Sequence, residues 1–211
     1  MKQQFTRAVA LLLVAVAVGA AAASAGNGGH KASRAAALRQ QVAALKAQAR
    51  RLNDRYSPAG ISRQLAKVKA SLDKYQSVDA AKADGYAPAS PCEATPTDPD
   101  ASWWGGGMGV HFVNPKLMAP GPIDPAKPPI LTYLPTAGGG YQLLAAEYFK
   151  PDADQNVRTD GDRPTLFGRA FDGPMLGHAP GMPIHYDLHV WLWKANHSGL
   201  FAPYNPDVTC P

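Results

Sequence analysis

Four of the six histidines in this 211-residue chain fall in its last third, at His178, His185, His189 and His197, and the first three lie within a dozen residues. Imidazoles so concentrated suit a metal site or a proton-transfer site, because they ligate when neutral and titrate near neutral pH. Two residues further upstream could join them. His111 stands in the run Met108-Gly109-Val110-His111-Phe112-Val113-Asn114-Pro115, and Glu147 interrupts the apolar run Leu143-Leu144-Ala145-Ala146-Glu147-Tyr148-Phe149. A lone carboxylate there is expensive to bury without a metal, a cation or hydrogen-bond donors. The candidate ligand pool is therefore His111, Glu147, His178, His185 and His189. Such a mixed imidazole and carboxylate set suits a divalent transition metal (Fe, Mn, Cu, Ni or Zn) better than Ca or Mg. Asp187 could ligate as well, or hold an imidazole by its second nitrogen. Met108, Met175 and Met182 keep copper in the set, although methionines also fill cores. A metal-free acid-base cluster and plain structural packing are the alternatives for the same histidines. His197, in an apparent turn, and His30, near the start, carry little weight.

The elements that must position these groups are strands. Along Ile184 to Trp193, the alternation places Ile184, Tyr186, Leu188, Val190 and Leu192 on one face and His185, Asp187, His189, Trp191 and Trp193 on the other. Residues four apart on a strand are separated by about 13 Å, so His185 and His189 are not expected to share one ion. One of them should instead meet His111 and Glu147, with His178 on a Gly-Pro-Gly loop able to fold over the site. Trp191, Trp193, Phe201 and Tyr204 could line a ligand cavity or pack the core. The other expected strands are Gly109 to Val113, Ile130 to Leu134, Tyr141 to Phe149 and Thr165 to Phe167, separated by Pro- and Gly-rich loops. With neither long helices nor alternating βαβ signals after Tyr86, the economical architecture is a curled antiparallel sheet or small barrel.

The N-terminus bears on the compartment. Lys2 and Arg7, the apolar run Ala8 to Val18 and the small-residue signal Ala23-Ser24-Ala25 read as a cleavable export signal over residues 1–25. No later segment is long enough to be a transmembrane anchor. A secreted or periplasmic chain favours pairing of its two cysteines, Cys92 with Cys210, which would close residues 77–211 into one β-rich domain.

Charge separates this domain from what precedes it. Residues 30–76 hold eleven Lys and Arg against two Asp, whereas residues 77–211 hold eight basic and fourteen acidic residues. The basic stretch, residues 26–76, reads as two helices: Leu38, Val42, Leu45, Ala49 and Leu52 repeat at steps of four and three, as do Ile61, Leu65, Val68, Leu72 and Tyr75 after a break at Tyr56 to Gly60. A helical hairpin, a dimerising coil or an arm packed on the body would each satisfy that pattern. Its basic residues are a solvated face or an attachment to an anionic envelope surface. Nucleic acid is not an expected partner, because interleaved aromatics and any known motif are lacking. Ser77 should cap a third short helix that ends at Gly85. The fold class is thus α+β, a basic helical arm or hairpin followed by a β-rich domain.

Several chemistries are set aside. The chain contains no Gly-x-Ser-x-Gly, no phosphate-binding Gly-x-x-x-x-Gly-Lys, no His-Glu-x-x-His and no Cys-x-x-Cys-His. The segments Ala83-Asp84-Gly85-Tyr86, Met108 to Pro115, Glu147-Tyr148-Phe149, Phe171-Asp172-Gly173-Pro174-Met175 and His185 to Trp193 resemble a family of exported bacterial proteins without an agreed activity. The resemblance spans roughly Tyr75 to Cys210 and implies a bacterial exported protein. Two functions remain open: a metal-dependent oxidoreductase or hydrolase, and a non-catalytic envelope module that binds a small ligand or partner.

Overall fold

The computed structural model describes residues 28–95, 105–118 and 121–211. The expected export signal lies outside the described residues. The chain divides into two compact units, residues 1–60 and 61–211.

In the first unit, helix α1 (Gly28–Arg55) is rich in Ala, Gln, Lys and Arg, residues that lose little side-chain freedom in a helix. Leu38, Val42, Leu45 and Leu52 form an exposed stripe along it. The chain turns at Ser57, whose hydroxyl donates to the Asp54 carbonyl at 2.7 Å and accepts from Gly60 N at 3.0 Å. Pro58 then opens α2 (Pro58–Leu72), where its missing N–H costs nothing. Gly60 is required at this turn, since a Cβ there would stand 1.8 Å from the Asp54 carbonyl oxygen.

The second unit begins within α2. Val68, Leu72 and Tyr75 are buried in its core, with Ile61 and Leu65 packed against them. The sequence reading placed both helices in one arm ending at Gln76. The compact units divide after Gly60 instead, because the apolar stripe of α2 has a sheet to cover. A 3-10 turn (Asp73–Gln76) leads to α3 (Val78–Ala83), and the Ser77 hydroxyl accepts from Ala80 N at 3.3 Å as the expected cap.

Six strands form one curled antiparallel sheet, a half-barrel: β1 (Ala87–Thr95), β2 (Gly106–Val113), β3 (Ile130–Pro135), β4 (Tyr141–Pro151), β7 (Asp172–Met175) and β8 (His185–Val190), in the order β1-β2-β3-β4-β8-β7. A small hairpin pairs β5 (Thr165–Leu166) with β6 (Arg169–Ala170). Strand β1 goes beyond the sequence reading because Pro88 and Pro91 argue against a ladder. It is tolerated as an edge strand, where an absent N–H can face away from the sheet. Cys92 on β1 and Cys210 form the expected disulfide.

The two faces of the sheet differ. Val110, Phe112, Leu131, Tyr133, Ala146, Tyr148, Tyr186, Leu188 and Val190 pack with the helical residues into the main core. The alternate residues, His111, Thr132, Glu147, Asp187 and His189, look the other way.

Candidate metal centre

Register builds the site. His111 on β2 pairs with Thr132 on β3, Ile130 of β3 pairs with Glu147 on β4, and Glu147 pairs directly with His189 on β8. Paired residues share a face, so three strands deliver two imidazoles and a carboxylate to one patch. One ligand atom from each of His111, Glu147 and His189 lies within 4.8 Å of the others. The Glu147 Oε2 atom stands 3.2 Å from His111 Nε2 and 3.4 Å from His189 Nε2. The side chains of His189 and Glu147 are 1% and 7% exposed, whereas His111 keeps 12% and forms the accessible side of the cluster. Trp191 stacks against the His189 ring at 6.4 Å between centroids.

The cluster is short of hydrogen bonds. Among the described residues, the buried side-chain polar atoms without a partner are Glu147 Oε2, both ring nitrogens of His189, Asp187 Oδ1 and Thr132 Oγ1, all on this face. Buried polar atoms are nearly always satisfied, and a group of orphans at one point calls for a reason. A proton shared between His111 and Glu147 would satisfy that pair but leave His189 Nε2 without a role. A cation among the three ligand atoms would engage all of them, so the trio could hold a metal ion.

The electrostatics of the ligand-free cluster follow from burial and proximity. Burial opposes charge on His111, but the neighbouring Glu147 and Glu93 carboxylates outweigh it and push the imidazole up to about 10. Burial likewise opposes charge on Glu147, yet the neighbouring His189 and His111 hold it below the usual carboxylate range. Burial depresses His189, with the Glu147 charge opposing it. Asp187 is pushed up to about 8 by burial, with the Glu147 and Asp172 charges adding to the effect.

The other candidates fall elsewhere. Separation along β8 divides the two histidines as expected: His189 joins the cluster, while His185 stacks on Phe149 at 4.7 Å and its Nδ1 lies 3.0 Å from the Pro183 carbonyl. His178 is exposed and meets His185 edge-on at 5.2 Å, away from the ligand trio. Asp187 is buried on the same face, but its Oδ1 accepts no hydrogen bond and neither nitrogen of His189 makes one, so Asp187 does not hold that imidazole. His197 is exposed and pairs with Asp207. Trp193 departs from the expected alternation: β8 ends at Val190, and the Trp193 indole turns to the helical side, donating to Asp73 at 2.7 Å.

Two residues escaped the sequence reading. Glu93 Oε1 and Ser90 Oγ lie 3.3 and 3.1 Å from His111 Nδ1. The one available signal was a carboxylate beside a disulfide cysteine. Comparison of the chain with protein-family models, with curated proteins and with solved structures finds no match.

Proposed function

We propose that this is an exported metalloprotein in which His111, Glu147 and His189 hold one divalent transition metal for catalysis. The observation that carries the reading is the convergence of the three ligand atoms at a buried point, with both ring nitrogens of His189 lacking any hydrogen bond. Three protein ligands suit a catalytic metal better than a structural one, which is usually closed by four. Two imidazoles and a carboxylate serve both iron oxygen chemistry and zinc hydrolysis, so the class, oxidoreductase or hydrolase, follows the metal. When bound, the metal supplies Lewis acidity and an activated water. The chain supplies the rest. His111 faces the accessible side, Trp191 walls off His189, and Asp187 is buried on the same face. The leader-like N-terminus and the Cys92–Cys210 disulfide support export.

Elemental analysis of the untagged protein, purified without chelator, tests this reading. Near-stoichiometric Fe, Mn, Cu, Ni or Zn is expected, and it should vanish in Glu147→Gln and His189→Ala. Protein that carries none and takes up none when offered these ions would end the metalloprotein reading.

Helix α1 favours a second role for the same chain. Its exposed Leu38, Val42, Leu45 and Leu52 lie on a segment with seven Lys and Arg and a single Asp, a pattern suited to the surface of an anionic membrane. Cosedimentation with phosphatidylcholine vesicles should occur only when phosphatidylglycerol is included, should fall steeply with salt, and should weaken in Leu45→Ser. Equal binding to neutral vesicles, or none to either, would remove this role.

A further inference from the structure

We infer that Glu93 and Ser90, held on edge strand β1 by the Cys92–Cys210 disulfide, fix the tautomer and aim of His111 and thereby set metal affinity. The inference rests on His111, Glu147 and His189 being the ligands.

The local chain explains how β1 reaches the ring. The pairing of β1 with β2 breaks between Pro88 and Cys92, so residues 89–91 leave the ladder. That irregularity carries the Ser90 hydroxyl over His111, where it accepts from the His111 backbone N at 3.1 Å and donates to the Pro91 carbonyl at 2.8 Å. Ser90 Oγ also lies 3.1 Å from His111 Nδ1, where the direction of the bond follows the tautomer. Glu93 Oε1, 3.3 Å from the same nitrogen, belongs to a carboxylate and can only accept, so it draws the proton to Nδ1. With one proton held on Nδ1, it is Nε2, the atom that faces Glu147, that exchanges its proton for a metal. An imidazole so oriented by a carboxylate is a stronger and better-aimed ligand, and loss of such a partner costs about 10–100-fold in affinity.

Glu93 and Ser90 both sit on a strand with a neighbour on one side only. The outer tie is covalent: Cys92 directly precedes Glu93 and bonds Cys210, and the Cys210 sulfur lies 3.5 Å from the Glu93 carbonyl oxygen. The disulfide therefore clamps Glu93 and Ser90 against His111.

Cobalt(II) titration of the metal-free protein, read by its visible spectrum and by competition for affinity, tests this. Glu93→Ala and Ser90→Ala should weaken binding, Glu93→Ala by about 10–100-fold with an altered spectrum, while Glu93→Gln, which can still accept from Nδ1, recovers most of it. Cys92→Ser/Cys210→Ser should weaken binding in the same direction, and adding Glu93→Ala to it should cost less than in the oxidised protein. Folded Glu93→Ala that binds cobalt as tightly as the unaltered chain would overturn the inference and leave the three-ligand reading standing. Unaltered protein that binds no cobalt would overturn both. If the cysteine variant does not fold, Glu93→Ala, Glu93→Gln and Ser90→Ala in the oxidised protein decide the matter.

Discussion

The two faces of the half-barrel sheet solve the same problem in opposite ways. On the helix-covered face, the buried polar groups are paired. Tyr86 donates to the Pro128 carbonyl, Tyr133 to the Tyr75 carbonyl, Tyr148 to the Pro125 carbonyl and Tyr186 to the Asp162 carboxylate. On the other face, Thr132, Glu147, Asp187 and His189 all keep buried polar atoms with no partner. Burial is comparable on both sides, so the difference lies in what the polar groups are for. The first face is built to be stable. The second holds groups in readiness at a cost in stability, which is the usual signature of a site.

The comparison is tested most strongly through Asp187, the acid of the polar face whose ionisation is most resisted. Its carboxyl is raised from 3.8 to about 8, chiefly by burial. The folded chain therefore binds this proton more tightly than the unfolded one. The associated stability is complete below pH 3.8 and is lost as pH rises to about 8, at up to about 1.36 kcal/mol per pH unit. Glu147 acts with the opposite sign, losing its contribution only as pH falls below its ordinary value of 4.5. In urea unfolding of chelator-treated protein from pH 4 to 8, the unaltered chain should lose stability relative to Asp187→Asn as pH rises, the decline that His111 itself adds above pH 6.5 being common to both. Parallel curves for the two proteins would mean that Asp187 ionises freely and that the polar face is wetter than its burial indicates.

Much of this contrast was legible in the sequence, and the remainder was not for identifiable reasons. Alternation along β8 separated Tyr186 and Leu188 from His185, Asp187 and His189, because strand period is local information. The isolation of Glu147 in an apolar run marked it for the same reason. Which histidine meets it depended on the β4–β8 register, a non-local property that pairs Glu147 with His189 and sets His185 opposite Pro151. Glu93 and Ser90 were hidden for a further reason. They sit on a strand whose prolines read as loop, and its irregular pairing, which brings Ser90 to His111, has no period to detect. Helix α2 showed its apolar stripe plainly, but a stripe does not say what covers it, and the division of the chain moved from Gln76 to Gly60 accordingly.

The smallest effect is the most direct comparison, because it uses two adjacent residues on opposite faces of β3. Thr132 buries a hydroxyl with no partner, while the hydroxyl of its neighbour Tyr133 donates to the Tyr75 carbonyl at 2.7 Å. Both side chains are fully buried. Thr132→Val keeps the branched shape and removes the unsatisfied group, so it should leave stability unchanged or raise it by about 1 kcal/mol. Tyr133→Phe strands the Tyr75 carbonyl, so it should lower stability by about 1–3 kcal/mol. Opposite signs at neighbouring positions, read by urea unfolding of metal-free protein, would show that the orphaned atoms on the His111 face are a real cost. Equal losses at both positions would mean that Thr132 has a partner in solution, and the contrast between the faces would narrow to His189, Glu147 and Asp187.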